Sequence, residues 1–127
     1  MKTYPRTALA LATLACVCLL TQMPATAQSV YGSLFGTVTD TTGAVIPNAT
    51  ITVKDEAKGT IVTAISNGSG DYSVPHLIPD VYDMKVTAKG FKIFETKGIS
   101  VEADAAPRID PALEVGAENT TVEVNAE

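Results

Sequence analysis

Apolar and polar residues alternate along most of this chain, and clusters of turn-forming residues separate the alternating runs. In one such run, Ala49, Ile51 and Val53 fall on one side of an extended chain, and the residues between them fall on the other. A period of two is typical of a half-buried β-strand, whereas a helix needs apolar residues three and four apart. The turn clusters recur about every 8 to 16 residues, which leaves no room for a helix between strands. The main part of the chain is therefore predicted to be all-β.

About seven short strands in this arrangement favour an antiparallel β-sandwich. A closed barrel is the alternative, but prolines near the strand ends suit two open sheets better, because proline cannot donate a hydrogen bond to a neighbouring strand. The strands are predicted near 33–40, 49–55, 60–66, 71–75, 81–88, 91–102 with a break around Gly98, and 108–115, with a further short strand at 120–125.

The beginning of the chain has a different character. Two basic residues precede an apolar run over 8–20, and small residues follow at Ala25-Thr26-Ala27. A bilayer-spanning helix needs about 20 apolar residues, so this run is too short to cross a membrane. The pattern predicts a helical secretory signal peptide over 1–27, cleaved between Ala27 and Gln28, and it favours this interpretation over a buried or anchoring helix. We expect export to the periplasm, the outer membrane or the extracellular space.

Charge and cysteine content exclude several classes of function. The chain has 127 residues, 9 Lys+Arg against 14 Asp+Glu, and a net charge of −5. The predicted signal peptide contains two of the basic residues and both cysteines, so the exported part is more acidic and has no thiol. Acidity argues against a nucleic-acid surface, which needs clustered Lys and Arg. The lack of a thiol excludes disulfides, cysteine metal sites and thiol nucleophiles. No second apolar run suggests a membrane span in the exported chain.

Four motifs, in order, resemble the carboxypeptidase regulatory-like domain. The first contains Gly-x-Val-x-Asp, a glycine turn and Pro-x-Ala before a strand, and the others are two turns and a Gly-Phe corner. These motifs lie at 35–53, 67–72, 77–82 and 88–91. The resemblance covers about residues 30–124. It implies a seven-stranded transthyretin-like (prealbumin-like) sandwich with an Ig-like arrangement, also described as a carbohydrate-binding-like fold, which does not by itself establish sugar binding.

A signal peptide followed directly by this domain resembles the N-terminus of TonB-dependent receptor-like outer-membrane proteins. The resemblance implies a sandwich domain over 28–118 and a C-terminal strand or linker over 119–127, after which those proteins continue into a plug and a barrel. A fragment of such a receptor, a truncated reading frame and a free-standing module remain alternatives. The expected partners are a downstream plug or barrel domain, or periplasmic or cell-surface proteins.

The sequence offers little for catalysis. His76 is the single histidine, and no Gly-x-Ser-x-Gly pattern accompanies it, so we expect a solvated loop histidine and rank hydrolysis last. Asp71, Asp80 and Asp83 flank turns that would have to meet at one end of the sandwich to bind calcium, and such a site needs more carboxylates. We therefore predict a protein that is not an enzyme, with no catalytic, cofactor-binding or metal-binding residues.

Two non-enzymatic functions remain. The first is a structural or interaction module, which uses a sheet edge or the face formed by Ser33, Phe35, Thr37 and Thr39 to dock a neighbouring domain. The second is a carbohydrate-binding module, because sugars are held by aromatic faces together with polar groups. Its predicted contacts are Tyr31, Phe35 and Phe94, whereas the family resemblance assigns Tyr72, Tyr82 and Phe91 to the core.

Overall fold

A computed structural model describes residues 30–126, so the predicted signal peptide and its cleavage site lie outside the described residues. This part of the chain folds into nine strands and contains no helix. The strands are β1 (Gly32–Thr37), β2 (Thr39–Asp40), β3 (Thr50–Asp55), β4 (Ile61–Ile65), β5 (Asp71–Leu77), β6 (Asp80–Thr87), β7 (Ile93–Val101), β8 (Ala112–Leu113) and β9 (Thr121–Asn125). The prediction of an all-β chain is confirmed.

The strands form two open layers. One layer is a five-stranded sheet in the order β4-β3-β6-β7-β9, antiparallel except where β9 joins β7 in parallel. The other layer, called the short sheet below, consists of two two-stranded sheets, the antiparallel pair β1–β5 and the parallel pair β2–β8, and only Val38 separates β1 from β2. Neither layer closes on itself, which confirms the prediction of a sandwich over a barrel.

The core lies between these layers and is built from the alternate residues that the period of two directs inward. Its buried apolar side chains are Leu34, Val38, Ile46, Ala49, Ile51, Val53, Tyr72, Val74, Leu77, Tyr82, Met84, Val86, Ile99, Val101 and Leu113. Tyr72 and Tyr82 are core residues, as the resemblance implied, and each hydroxyl has a partner: Tyr72 donates to the Ile109 carbonyl at 2.7 Å and Tyr82 to the Ile78 carbonyl at 2.7 Å. The buried phenols are thus satisfied.

The segment after β7 departs from the predicted strand at 108–115. Only β8 within it is a named strand, and the residues before β8 run beside β1 through separate contacts. Ser33 N donates to the Ala105 carbonyl at 2.9 Å, and Ile109 N donates to the Phe35 carbonyl at 2.9 Å. Prolines at 107 and 111 remove two backbone donors, which prevents a continuous ladder here. Seven strands of five residues or more remain, and one of them, β9, confirms the further short strand predicted at 120–125.

Two further differences arise from β-bulges, which admit an extra residue into one strand of a pair. The strand predicted at 71–75 continues to Leu77, with a bulge at its end. The break expected around Gly98 is a bulge inside the continuous strand β7, where the register shifts and Gly98 has a φ of +71°. Glycine adopts this left-handed conformation without steric cost. Both prediction errors came from treating an irregular residue as a strand end.

Candidate functional site

The outer surface of the short sheet combines aromatic and polar side chains. The residues of β1 and the one before it alternate, so that Tyr31, Ser33, Phe35 and Thr37 leave the sheet on the side away from the core. We call this surface the ring face and define it by Tyr31, Phe35, His76 and Arg108. The face predicted to be exposed is thus half-buried: Ser33, Phe35 and Thr37 share the outer side of β1, and Thr39 follows on β2.

A β-bulge delivers His76 to the ring face. Gly32 pairs with Leu77 and Leu34 pairs with Val74, so Pro75 and His76 together oppose the single residue between the β1 partners. His76 has a φ of +58°, which is rare for a residue with a side chain. Its exposed ring meets the Tyr31 ring edge-on, with 5.9 Å between centroids and 81° between planes. The predicted loop histidine therefore lies within a strand, beside an aromatic ring.

An open depression lies beside this ring pair. It has a volume of about 580 Å³, and Tyr31, Ser33, His76 and Asp104 contribute to its lining. Asp104 N donates to the Tyr31 carbonyl at 3.1 Å, and Asp104 has a φ of +61°. Among residues 30–126, no hydrogen bond joins the side chains of Ser33, His76 and Asp104, so the three types needed for a hydrolytic triad are near one another but not linked.

Phe35 and Arg108 form the second half of the ring face. The Arg108 guanidinium carbon lies 5.5 Å from the centre of the Phe35 ring, within the range of a cation–π contact. Arg108 Nε donates to Asp110 Oδ2 at 2.9 Å, and Arg108 Nη2 donates to Thr37 Oγ1 at 3.1 Å. Thr37 Oγ1 in turn donates to Asp71 Oδ1 at 2.6 Å. These bonds fix the guanidinium over the ring and connect both sides of β1.

The ion pair between Arg108 and Asp110 shifts the pKa of both side chains. The hydrogen bond from Arg108 lowers the pKa of Asp110, and the backbone N–H of Thr37 adds to this effect by donating to Asp110 Oδ1 at 2.8 Å. Reciprocally, the hydrogen bond to Asp110 raises the pKa of Arg108. Both groups are therefore held in their charged forms at neutral pH.

Phe94 lies elsewhere. It is on β7, opposite the buried Val86 of β6, and packs half-buried against the core. It also lines a cleft of about 470 Å³ near the end of β9. Arg108 lines the same cleft, so Phe94 lies beside the Arg108 end of the ring face, but it packs against the core and is not on the outer surface that Tyr31 and Phe35 share.

The outer surface of the five-stranded sheet is charged, and its side chains pair across strands. Lys85 Nζ lies 3.8 Å from Glu95 Oε1, and Lys97 Nζ lies 3.2 Å from Glu123 Oε1. We call this surface the charged face and define it by these four residues together with Lys54, Glu56 and Asp83. Glu56 and Asp83 lie side by side, and hydrogen bonding to Asp83 is the largest cause of the raised pKa of Glu56.

The carboxylates considered as calcium ligands do not meet. Asp71 begins β5 and binds Thr37, whereas Asp80 begins β6 after β5 has crossed the molecule, and it pairs with Lys58. The hydrogen bond from Lys58 lowers the pKa of Asp80. No group of three or more His, Cys, Asp or Glu residues within 30–126 is arranged to hold a metal ion. The turn interpretation also fits Asn67, whose Oδ1 accepts from Ser69 N at 2.9 Å and Asp71 N at 3.0 Å.

Sequence reasoning missed two components of the ring face. Arg108 reaches Phe35 through a pairing 73 residues apart in sequence, and no local pattern signals that contact. The bulge at His76 had a signal, since Pro75 stands inside an alternating run, and proline within a strand pair is typical of bulges and edges.

Two open layers of β-strands around one core define a β-sandwich. The family is shown by comparison of the sequence with family models. The model of the carboxypeptidase regulatory-like domain family matches residues 33–114. The chain belongs to this family, which confirms the resemblance carried by its four motifs. No curated protein gives a significant sequence match.

Solved structures support the fold. A candidate carbohydrate binding protein from Bacteroides uniformis is 23% identical with a TM-score of 0.53, covering 64% of this chain and 40% of that one. A minor pilin from Streptococcus agalactiae is 11% identical with a TM-score of 0.55, covering 73% and 48%. Chlorocatechol 1,2-dioxygenase from Pseudomonas putida is 14% identical with a TM-score of 0.51, covering 71% and 62%.

Such distant likeness extends to the fold alone, because unrelated functions share this architecture. The chain spans less than two thirds of the length of each of these three structures. In the part that the structure describes, no helix has the length and apolar character needed to cross a membrane.

Proposed function

We propose that this domain is a non-enzymatic, exported interaction or structural module, and that it forms the N-terminal extension of a TonB-dependent receptor-like outer-membrane transport protein. Family membership supports the module, and the order of signal-like segment and domain supports the receptor context. The proposed partner is the plug or barrel of the same protein, or a protein of the periplasm or cell surface.

The proposal that the domain is not an enzyme rests on how the polar side chains on and beside the ring face are hydrogen-bonded. Arg108, Asp110, Thr37 and Asp71 bind one another and hold the sheet together. His76 contacts a tyrosine ring, and it has no hydrogen bond to a serine or an acid among residues 30–126. General base catalysis requires the base to reach the proton that it removes, directly or through one water. The surface is suited to contact rather than to proton transfer.

Sequencing the gene beyond codon 127 tests whether this domain belongs to a receptor. We expect the reading frame, continued directly or after a frameshift, to encode a plug-like segment followed by many alternating strands. A stop codon followed by an unrelated gene would contradict the receptor context and leave a free-standing module.

Carbohydrate binding is the second candidate, and the pairing of Tyr31 with Phe35 on one surface favours it. Sugar rings pack on aromatic faces while hydrogen-bonding groups orient them. Tyr31 is 44% exposed, and the depression beside it is bordered by the polar Ser33 and His76. The likeness to a candidate carbohydrate binding protein adds support, although it is a likeness of fold.

A glycan panel followed by NMR titration tests the second candidate. A bound sugar should shift the amide signals around Tyr31 and His76, and Tyr31→Ala should weaken the binding by about tenfold or more, as expected for the loss of an aromatic contact. Val115→Ala is the control, since Val115 is 75% exposed and does not line the depression beside Tyr31 and His76. No response across the panel, or equal weakening by both variants, would exclude sugar binding at this face.

A further inference from the structure

Strand β4 forms one edge of the five-stranded sheet, and its far side has no strand partner among residues 30–126. Asp55 N donates to the Thr60 carbonyl and Ser66 N donates to the Ala49 carbonyl, each at 2.9 Å. In an antiparallel ladder, every second residue faces the partner strand. Residues 60, 62, 64 and 66 therefore face β3, and the N–H and C=O groups of Ile61, Thr63 and Ile65 point to the open edge.

The side chains of the same three residues lie on the outer surface. Ile61 is 59% exposed and Ile65 is 64% exposed, with Thr63 exposed between them. The strand contains no charge, proline or glycine. Natural sheets usually protect an edge with such residues, because an open uncharged edge pairs readily with another strand.

Two other edges of the sandwich carry this protection. On β9, Glu123 places a charge in the middle of the strand. On β5, Pro75 and the bulge at His76 interrupt the strand. The contrast indicates that the backbone groups on the open edge of β4 are available to pair with another strand.

We propose that two copies of this chain pair through β4, antiparallel, about a two-fold axis at Thr63. The order of residues in β4 fits such a pairing: Ile61 of one copy lies opposite Ile65 of the other, Val62 opposite Ala64, and Thr63 opposite Thr63. Each of the three edge-facing residues donates one hydrogen bond and accepts one, so the two strands form six in total. A two-fold interface must be self-complementary in this way.

Charge also favours a second copy over a charged partner strand. Next to β4, the outer surface of β3 presents Thr50, Thr52 and Lys54, which lie opposite Ile65, Thr63 and Ile61. In the pairing, a row of four threonines crosses the centre of the joined sheet. The two Lys54 side chains lie at opposite ends, so no like charges face each other, although each copy is acidic overall.

The area of the interface sets its strength. Five residues on each side bury less than the roughly 1,200 Å² of a standard stable interface, so the dimer should be weak and should form as protein concentration rises. The expected product is a ten-stranded sheet with the ring faces of the two copies left uncovered.

Sedimentation equilibrium of the exported chain over a wide concentration range tests the proposal. The average mass should rise from one copy toward two and stop there. Thr63→Lys places two lysines face to face at the centre and should weaken association by about tenfold or more. The control is Thr121→Lys, the same change at an exposed position on the protected edge strand β9, and it should associate as the wild type does.

Amide hydrogen exchange on the wild type provides a readout that does not depend on a variant folding. The amides of Ile61, Thr63 and Ile65 should gain protection as concentration rises, while the amides of β9 should not. A single-copy mass at every concentration, growth beyond two copies, equal weakening by both lysine variants, or protection of β4 that does not depend on concentration would each overturn the proposal. The last result would mean that another segment of the same chain covers the edge.

Discussion

The two outer surfaces of the sandwich are built on similar strands but carry different chemistry. On the ring face, Tyr31 and His76 are in contact, and a guanidinium is fixed over Phe35. On the charged face, lysines and glutamates pair across strands, and Lys85–Glu95 is one such pair. Exposed ion pairs contribute little to stability, whereas exposed aromatic rings are typical of contact surfaces. The short sheet therefore carries aromatic contacts on its outer surface, whereas the five-stranded sheet carries ion pairs.

The two surfaces also depend on backbone packing to different degrees. Residues 105–109 run beside β1 and bring Arg108 onto Phe35, so the ring face depends on a close backbone approach at Gly36. The charged face needs no such approach, because its pairs form between regular neighbouring strands. Substitutions on the two faces should therefore have unequal effects.

Gly36→Ala should have the largest effect. A Cβ atom at this position would lie 1.7 Å from the Ile109 carbonyl oxygen, which is backbone and cannot move aside without shifting the segment beside β1. We expect a loss of about 3 kcal/mol in the free energy of unfolding, measured by urea denaturation, together with loss of the contact between Arg108 and Phe35. Gly68→Ala is the control, because nothing lies within 4 Å of its Cβ, and it should change stability by no more than about 0.5 kcal/mol. Equal effects would contradict the close approach.

Arg108→Met should have a smaller, pH-dependent effect. Arg108 lowers the pKa of Asp110 in the folded state, so this carboxylate stabilises the fold above its unfolded pKa of about 3.9, and the contribution is lost as pH falls through the lower folded value. The variant should thus lower the urea midpoint more at pH 7 than well below the folded pKa, where only the loss of the contacts with Phe35 and Thr37 remains. An NMR titration should show the pKa of Asp110 returning toward its usual range. Lys92→Met, which breaks the pair with Glu114, should leave that titration unchanged, and a shift there would argue against a specific Arg108 effect.

Glu56→Gln should have the smallest effect, and of opposite sign. The neighbouring Asp83 raises the pKa of Glu56 in the folded state, so the fold is favoured while Glu56 is protonated, and this advantage is lost as pH rises through the folded pKa. A neutral glutamine removes the repulsion, which should raise the urea midpoint slightly at pH 7 and not at pH 3. Glu118→Gln, at an exposed position in the loop before β9, serves as the control. A lower midpoint for Glu56→Gln at pH 7 would show that the carboxylate pair is not repulsive.

Most of the fold followed from the sequence because a period of two and a set of turn residues are local signals. The buried Ala49, Ile51 and Val53 and the turn at Asn67 are examples. The candidate site was less accessible, because its geometry depends on contacts between distant residues. Tyr31 and Phe35 were found from their types, whereas the Arg108 contact and the position of Phe94 required the three-dimensional arrangement. Of the three residues predicted as sugar contacts, Tyr31 and Phe35 therefore lie on the outer surface of β1, whereas Phe94 packs against the core.

We propose that this domain is the exported N-terminal module of a larger outer-membrane protein, and the size and location of the protein in cells test this proposal most directly. An antibody raised against residues 33–114 should detect, in fractionated cells of the source organism, a polypeptide much longer than 127 residues in the outer-membrane fraction. Its N-terminus should be Gln28. A band of the size of the exported chain alone in the soluble fraction, or one that retains residues 1–27 in the cytoplasm, would contradict the claim.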